Sequence, residues 1–177
     1  MNLSDGEYFI RCNVANPDQS FLWLISGPTA TQTGDDIHAR GRKICRDTRT
    51  KKIRERDLAP ECFVRVINLK DGNGTILLRQ SGTDRYATVF REQDEDPPKI
   101  VFRSLSPDNI GEDPKFQLIA PNGNEADGVA IRAVANNCYV GVDLDLSGSN
   151  YLYPICKLGK ISANGLFKFE QRFGYSI

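Results

Sequence analysis

An all-β domain of twelve short strands, built from three repeats of one four-stranded unit, is what this sequence predicts. Three observations predict it. Three segments open alike and three close alike. Glycine and proline also interrupt the 177-residue chain so often that no long stripe of helical period survives.

The openings run from Asp5-Gly6 to Arg11, from Asn73-Gly74 to Arg79 and from Asp127-Gly128 to Arg132. Each is a D-G or N-G turn followed by an apolar run that ends in arginine. The turn favours glycine because the backbone there visits positive φ, and the run behind it reads as a strand. The closings are Cys62-Phe63-Val64-Arg65-Val66, Lys115-Phe116-Gln117-Leu118-Ile119 and Leu166-Phe167-Lys168-Phe169-Glu170, which align Phe63 with Phe116 and Phe167. Their alternation turns one face inward.

Two further strands are expected inside each unit. They are 21–25 and 42–45 in the first, 86–90 and 99–103 in the second, and 138–142 and 151–155 in the third. The repeats span 5–71, 72–125 and 126–173 of one domain covering 1–177. Twelve strands in three such units close a barrel and cap it with hairpins, leaving no open edge. That architecture is the β-trefoil. A short helix over 50–58 is the one departure that propensity suggests.

Basic and acidic residues balance at 23 each, so no global pull on nucleic acid or membrane is expected. No apolar run approaches the length of a bilayer span. The Met1-Asn2-Leu3-Ser4 start lacks the basic and apolar regions of a secretory signal, which points to the cytoplasm. Five cysteines, Cys12, Cys45, Cys62, Cys138 and Cys156, are odd in number and widely spaced. Most are therefore expected to be reduced packing residues, not a disulfide framework or a zinc set.

The chemistry-bearing candidates are few, and neither an enzyme nor a cofactor is expected. His38 is the only histidine, and it reads as a solvated loop residue. Asp143 to Gly148 begins like a calcium-binding loop, but position twelve is Pro154 where a bidentate glutamate belongs, so a strand running into a turn is expected. The acidic stretch 92–96 reads as a solvated hairpin loop. The basic insertion from Arg40 to Arg56 has no interleaved aromatics for stacking single strands, so it reads as a solvated loop, with no nucleic acid partner. Trp23 alternates with Phe21 and Ile25 and reads as core. The Q-x-W signature of ricin-type lectins is absent from all three units.

Two resemblances follow. Val129 to Ala133, Tyr139 to Asp143 and Phe167-Lys168-Phe169 look like a fascin-type repeat, which implies an actin or other protein interaction module. Asp5 to Arg11 with Asn16-Pro17-Asp18, Asp113 to Leu118 with Ile131 to Ala133, and Asn150 to Tyr153 resemble the mycocypins, mushroom β-trefoil inhibitors of cysteine proteases. That resemblance implies papain-like proteases met by the loops 14–20 and 54–60, hence by Asn16, Pro17, Asp18, Asp57, Leu58 and Ala59. It also implies a third protease-binding loop at 80–85. There Asp84 and Arg85 stand, and no asparagine for a legumain-type cleft. The expected function is non-enzymatic binding through trefoil loops, with a protease as the first partner class and a glycan as the alternative.

Overall fold

The structure is a computed structural model that describes residues 3–12, 19–25, 37–45, 63–91, 98–121, 123–144, 151–161 and 165–172. The first unit comprises β1 (Gly6–Cys12), β2 (Gln19–Ile25), β3 (Ile37–Cys45) and β4 (Val64–Asn68). The second comprises β5 (Thr75–Gln80), β6 (Arg85–Phe90), β7 (Lys99–Ser104) and β8 (Lys115–Ile119). The third comprises β9 (Ala130–Ala133), β10 (Cys138–Leu144), β11 (Tyr151–Leu158) and β12 (Phe167–Gln171). The helical elements among the described residues are two 3₁₀ turns, Pro107–Asn109 and Glu125–Asp127. No helix among them is long and apolar enough to cross a membrane. The helix expected over 50–58 and the acidic stretch 92–96 lie outside the described residues.

Antiparallel pairing closes a ring. β1 pairs β4, β4 pairs β5, β5 pairs β8, and β8 pairs β9. Val129, just ahead of β9, bridges Phe167 of β12, and β12 returns to β1. The remaining strands form hairpins β2–β3, β6–β7 and β10–β11. These meet one another through β3–β7, β7–β11 and β11–β3. Six ring strands and three mutually paired hairpins leave the ladders continuous all round.

The register fixes which residues are equivalent. Arg11 lies opposite Lys168 and Leu22, Arg79 opposite Arg65 and Tyr86, and Arg132 opposite Gln117 and Tyr139. Counting one residue back puts Ile10, Leu78 and Ile131 at one level, all fully buried. Residues paired to the barrel interior at the next level are Val64, Phe116 and Phe167, also in the core. Alternation then sends the arginines and their partners to the outer face.

This register corrects the alignment of the closings. Val64, not Phe63, is equivalent to Phe116 and Phe167. Phe63 stands just before β4, and the pleat turns it outward. There it is covered by Phe9, edge-on at 6.4 Å between ring centres, and by the Arg172 guanidinium 4.4 Å from its ring centre. A cation over the ring face and an aromatic at its edge bury it outside the barrel.

The opening turns also differ from expectation. Gly74 (φ 68°) and Gly128 (φ 102°) do adopt positive φ, but Gly6 is not among the residues that do. Gly6 begins β1 instead, paired with Val66. At Gly128 a side chain would also meet the Phe167 carbonyl at 3.2 Å and Leu166 Cβ at 3.3 Å, so backbone packing as well as φ requires glycine there.

The strand expected at 42–45 is present and begins earlier, so His38 and Arg40 lie in β3, not in a loop. Seven register pairs with β2, from Gln19↔Cys45 to Ile25↔Ala39, draw this polar run into the ladder, because pairing context overrides modest strand propensity. Cys138, fully buried, is disulfide-bonded, and so is not among the reduced cysteines expected to be the majority. Asp143 and Pro154 fall in the β10–β11 ladder, where Asp143 pairs Tyr153 and Val142 pairs Pro154.

Candidate functional site

Two ordered features of the surface are built from turns. The first lies at the end of the ring where β1 begins. The Cys12 end of β1 meets β2 of the hairpin layer, whereas its Gly6 end meets β4, so this end faces away from the hairpins. The chain between β4 and β5 is closed by Leu69 N–H donating to the Thr75 carbonyl at 3.0 Å. Inside it the Asp71 carboxylate accepts from the backbone N–H groups of Asn73 (2.9 Å) and Thr75 (3.4 Å). Aspartate templates such a turn by replacing a backbone acceptor. Gly72 (φ 78°) and Gly74 (φ 68°) take left-handed conformations, and so does Lys70 (φ 53°), where a side chain is uncommon.

The N-terminal segment folds against this turn. Asp5 Oδ1 accepts from the Asn68 backbone N–H at 2.9 Å and from Asn68 Nδ2 at 2.8 Å. Asn68 Nδ2 also donates to the Leu3 carbonyl, and the Tyr8 hydroxyl donates to the Ser4 carbonyl at 3.0 Å. A cavity of about 650 Å³ opens between the two pieces of chain, with Leu3, Asp5, Asn68, Lys70, Gly72 and Thr75 among its walls. The backbone N–H of Asn68, then its side-chain amide, hold the Asp5 carboxyl below its ordinary value of 3.8, with the charges of Lys70 and Arg65 adding to the effect. Hydrogen bonds from Thr75 and Asn73 do the same for Asp71. Both groups are therefore carboxylates at neutral pH.

The second feature is the β5–β6 turn, the one sequence-predicted protease-binding loop that the description covers. Thr83 N–H donates to the Gln80 carbonyl (3.2 Å), and Arg85 N–H donates to Thr83 Oγ1 (3.1 Å). Ser81 is held from both sides: its N–H donates to the Phe63 carbonyl (3.2 Å) and its hydroxyl to Glu7 Oε1 (2.7 Å). Asp84 is exposed but anchored, since Ser104 Oγ donates to its Oδ1 at 3.1 Å. Arg85 is half-buried at the first position of β6. The other predicted site residues, Asn16, Pro17, Asp18, Asp57, Leu58 and Ala59, lie outside the described residues.

Sequence reasoning missed Lys70 and Asn68 as site residues. The available signal was the run Asp71-Gly72-Asn73-Gly74, two turn dipeptides in succession where a plain hairpin needs one. The segment at Asp5 gives no local sign that it folds over that turn, because the contact spans more than sixty residues.

No family model and no curated protein sequence matches the chain. Solved structures do resemble it. The Rhizoctonia solani agglutinin superposes with TM-score 0.64 at 13% identity, covering 97% of this chain and 99% of that one. The BEL beta-trefoil superposes with TM-score 0.62 at 9% identity, covering 97% of each. The designed three-fold symmetric protein ThreeFoil gives 0.61 at 15% identity, covering 93% and 98%. At such identities the likeness speaks for the backbone, and it agrees with the closed ring and three hairpins: the chain has the β-trefoil fold.

Proposed function

We propose that this protein is a non-enzymatic binding domain that recognises a saccharide in the cavity between residues 3–5 and the 68–75 turn. The observation that carries this reading is that Asp5 and Lys70, of opposite charge, both line the cavity. Asp5 Oδ1 is already occupied by Asn68. Its carboxylate thus has a fixed position from which Oδ2 accepts from sugar hydroxyls, while the exposed Lys70 ammonium donates. Leu3 supplies an apolar wall suited to a C–H face. The two charges cancel, which fits a neutral polyhydroxylated ligand. Apart from Leu3 and glycines the lining is polar, which suits a hydroxyl-rich ligand.

A glycan array probed with wild-type protein, Asp5→Asn and Lys70→Gln tests this. Selective retention by wild type is expected, with each variant weakened about tenfold or more, roughly 1.4 kcal/mol. Binding is expected to hold at neutral pH and to fall as pH drops through the lowered pKa of Asp5, because protonation removes the acceptor. No saccharide bound by wild type, or equal binding by both variants, contradicts the reading.

A second reading, loop-mediated protease inhibition of mycocypin type, draws support from the β5–β6 turn. A turn ordered before binding fills a cleft at small entropic cost. Its test is a panel of papain-like and trypsin-like proteases. Inhibition at micromolar protein that Asp84→Ala weakens about tenfold supports it, and no inhibition by wild type ends it.

A further inference from the structure

The three equivalent arginines do not have equivalent partners. Arg11 is met by a carboxylate of the protein itself, through the ion pair of its Nη2 with Glu170 Oε1. Glu170 lies opposite Phe9, two residues along β1 from Arg11. The residues at that register position in the other units are Ile67, opposite Leu77, and Ile119, opposite Ala130. Isoleucine supplies no acceptor. Arg79 and Arg132 each retain a buried Nε without a hydrogen-bond partner. A buried donor left unsatisfied is costly, and it calls for an explanation.

The surroundings of the two arginines then diverge. Arg132 donates from Nη2 to Gln117 Oε1, so a neutral acceptor serves it in part. Arg79 instead faces Arg65, a second guanidinium directly across the ladder, with Tyr86 on its other side. Like charges placed opposite each other destabilise a sheet unless something between them is negative. Glu7 lies opposite Arg65 on β1, but its carboxylate takes Ser81 Oγ on one oxygen and Arg172 on the other. Arg65 is exposed and Arg79 half-buried, so the pair opens to solvent.

We propose that Arg79 and Arg65 form an oxyanion site on the outer face of the second unit, taking a sulfate or phosphate monoester group. The anion takes for Arg79 the part that the Glu170 carboxylate takes for Arg11 in the first unit. Two guanidinium groups offer paired N–H donors to a tetrahedral oxyanion. Arg132 marks the corresponding, weaker position in the third unit. Its donors differ from the Asp5 and Lys70 of the saccharide cavity, although the charge of Arg65 also acts on Asp5.

The test is an NMR titration of ¹⁵N-labelled protein with sodium sulfate, read at the arginine Nε–H resonances. Sodium chloride at matched ionic strength is the control. The Arg79 resonance is expected to shift and saturate with sulfate and to stay in place with chloride. Arg65→Gln, an exposed change that spares the core, is expected to raise the sulfate dissociation constant about tenfold. Repeating the titration with a 6-O-sulfated monosaccharide and with glucose 6-phosphate identifies the ester: the better ligand saturates the same resonance at lower concentration. An Arg79 resonance that ignores sulfate, or follows chloride equally, overturns the site. So does an unchanged constant in Arg65→Gln.

Discussion

Phe116→Ala is expected to destabilise the protein by about 3–5 kcal/mol, the range for removing a buried aromatic ring from a packed core. Phe116 is fully buried and shares its level of the barrel with Val64 and Phe167. Its backbone partners across β5 and β9 are Ile76 and Ala133. Because the ring of strands is closed by hydrogen bonds on every side, the walls cannot collapse far into the space left behind. For a chain of this length the melting temperature should fall by roughly 6–20 °C. Urea unfolding of wild type and variant at one pH measures the effect. A loss below about 1.5 kcal/mol, as for a volume-conserving swap, would mean that Phe116 does not pack as described.

Reduction is expected to have the next largest effect. Cys138 is disulfide-bonded and fully buried on β10. Breaking such a tie typically costs about 2–4 kcal/mol by restoring freedom to the unfolded chain. Of five cysteines, no more than three should titrate as free thiols in denaturant without reductant (5 − 2 = 3), and all five after reduction. Melting temperature in the presence and absence of dithiothreitol gives the energetic effect. Five free thiols before reduction, or an unchanged melting temperature, would contradict the bonded state of Cys138.

The fold was legible because its strongest signals are local and repeated. Each opening ends in arginine, and each closing alternates in apolar character. Arg11, Arg79 and Arg132 do occupy one equivalent register position. What the repeat could not settle was phase. Phe63 looks like Phe116 in composition, yet only the pairing of β4 with β5 shows that Val64 takes the inward place. Likewise 42–45 reads as a short strand but His38 to Gly41 as loop, because the partners that extend the strand lie on β2 and β7.

The candidate site was less legible for the same reason. The turn at Asp71 is written in neighbouring residues, but the cavity exists because Asp5 bonds Asn68 across the chain. The difference between Arg11 and Arg79 depends on Glu170 and Ile67, residues on strands far apart in sequence. Pairwise register carries that information, and no motif does.

The central claim is that a saccharide enters the cavity between the N-terminal segment and the β4–β5 turn. The most direct measurement is a ¹H–¹⁵N correlation spectrum of the protein titrated with the best ligand from the array. The account predicts saturating shifts confined to residues 3–5 and 68–75, with Asn68 and Lys70 among the largest, and their loss in Asp5→Asn. Shifts that cluster on the β5–β6 turn at 80–85, or on the hairpin layer at the other end of the ring, would contradict it.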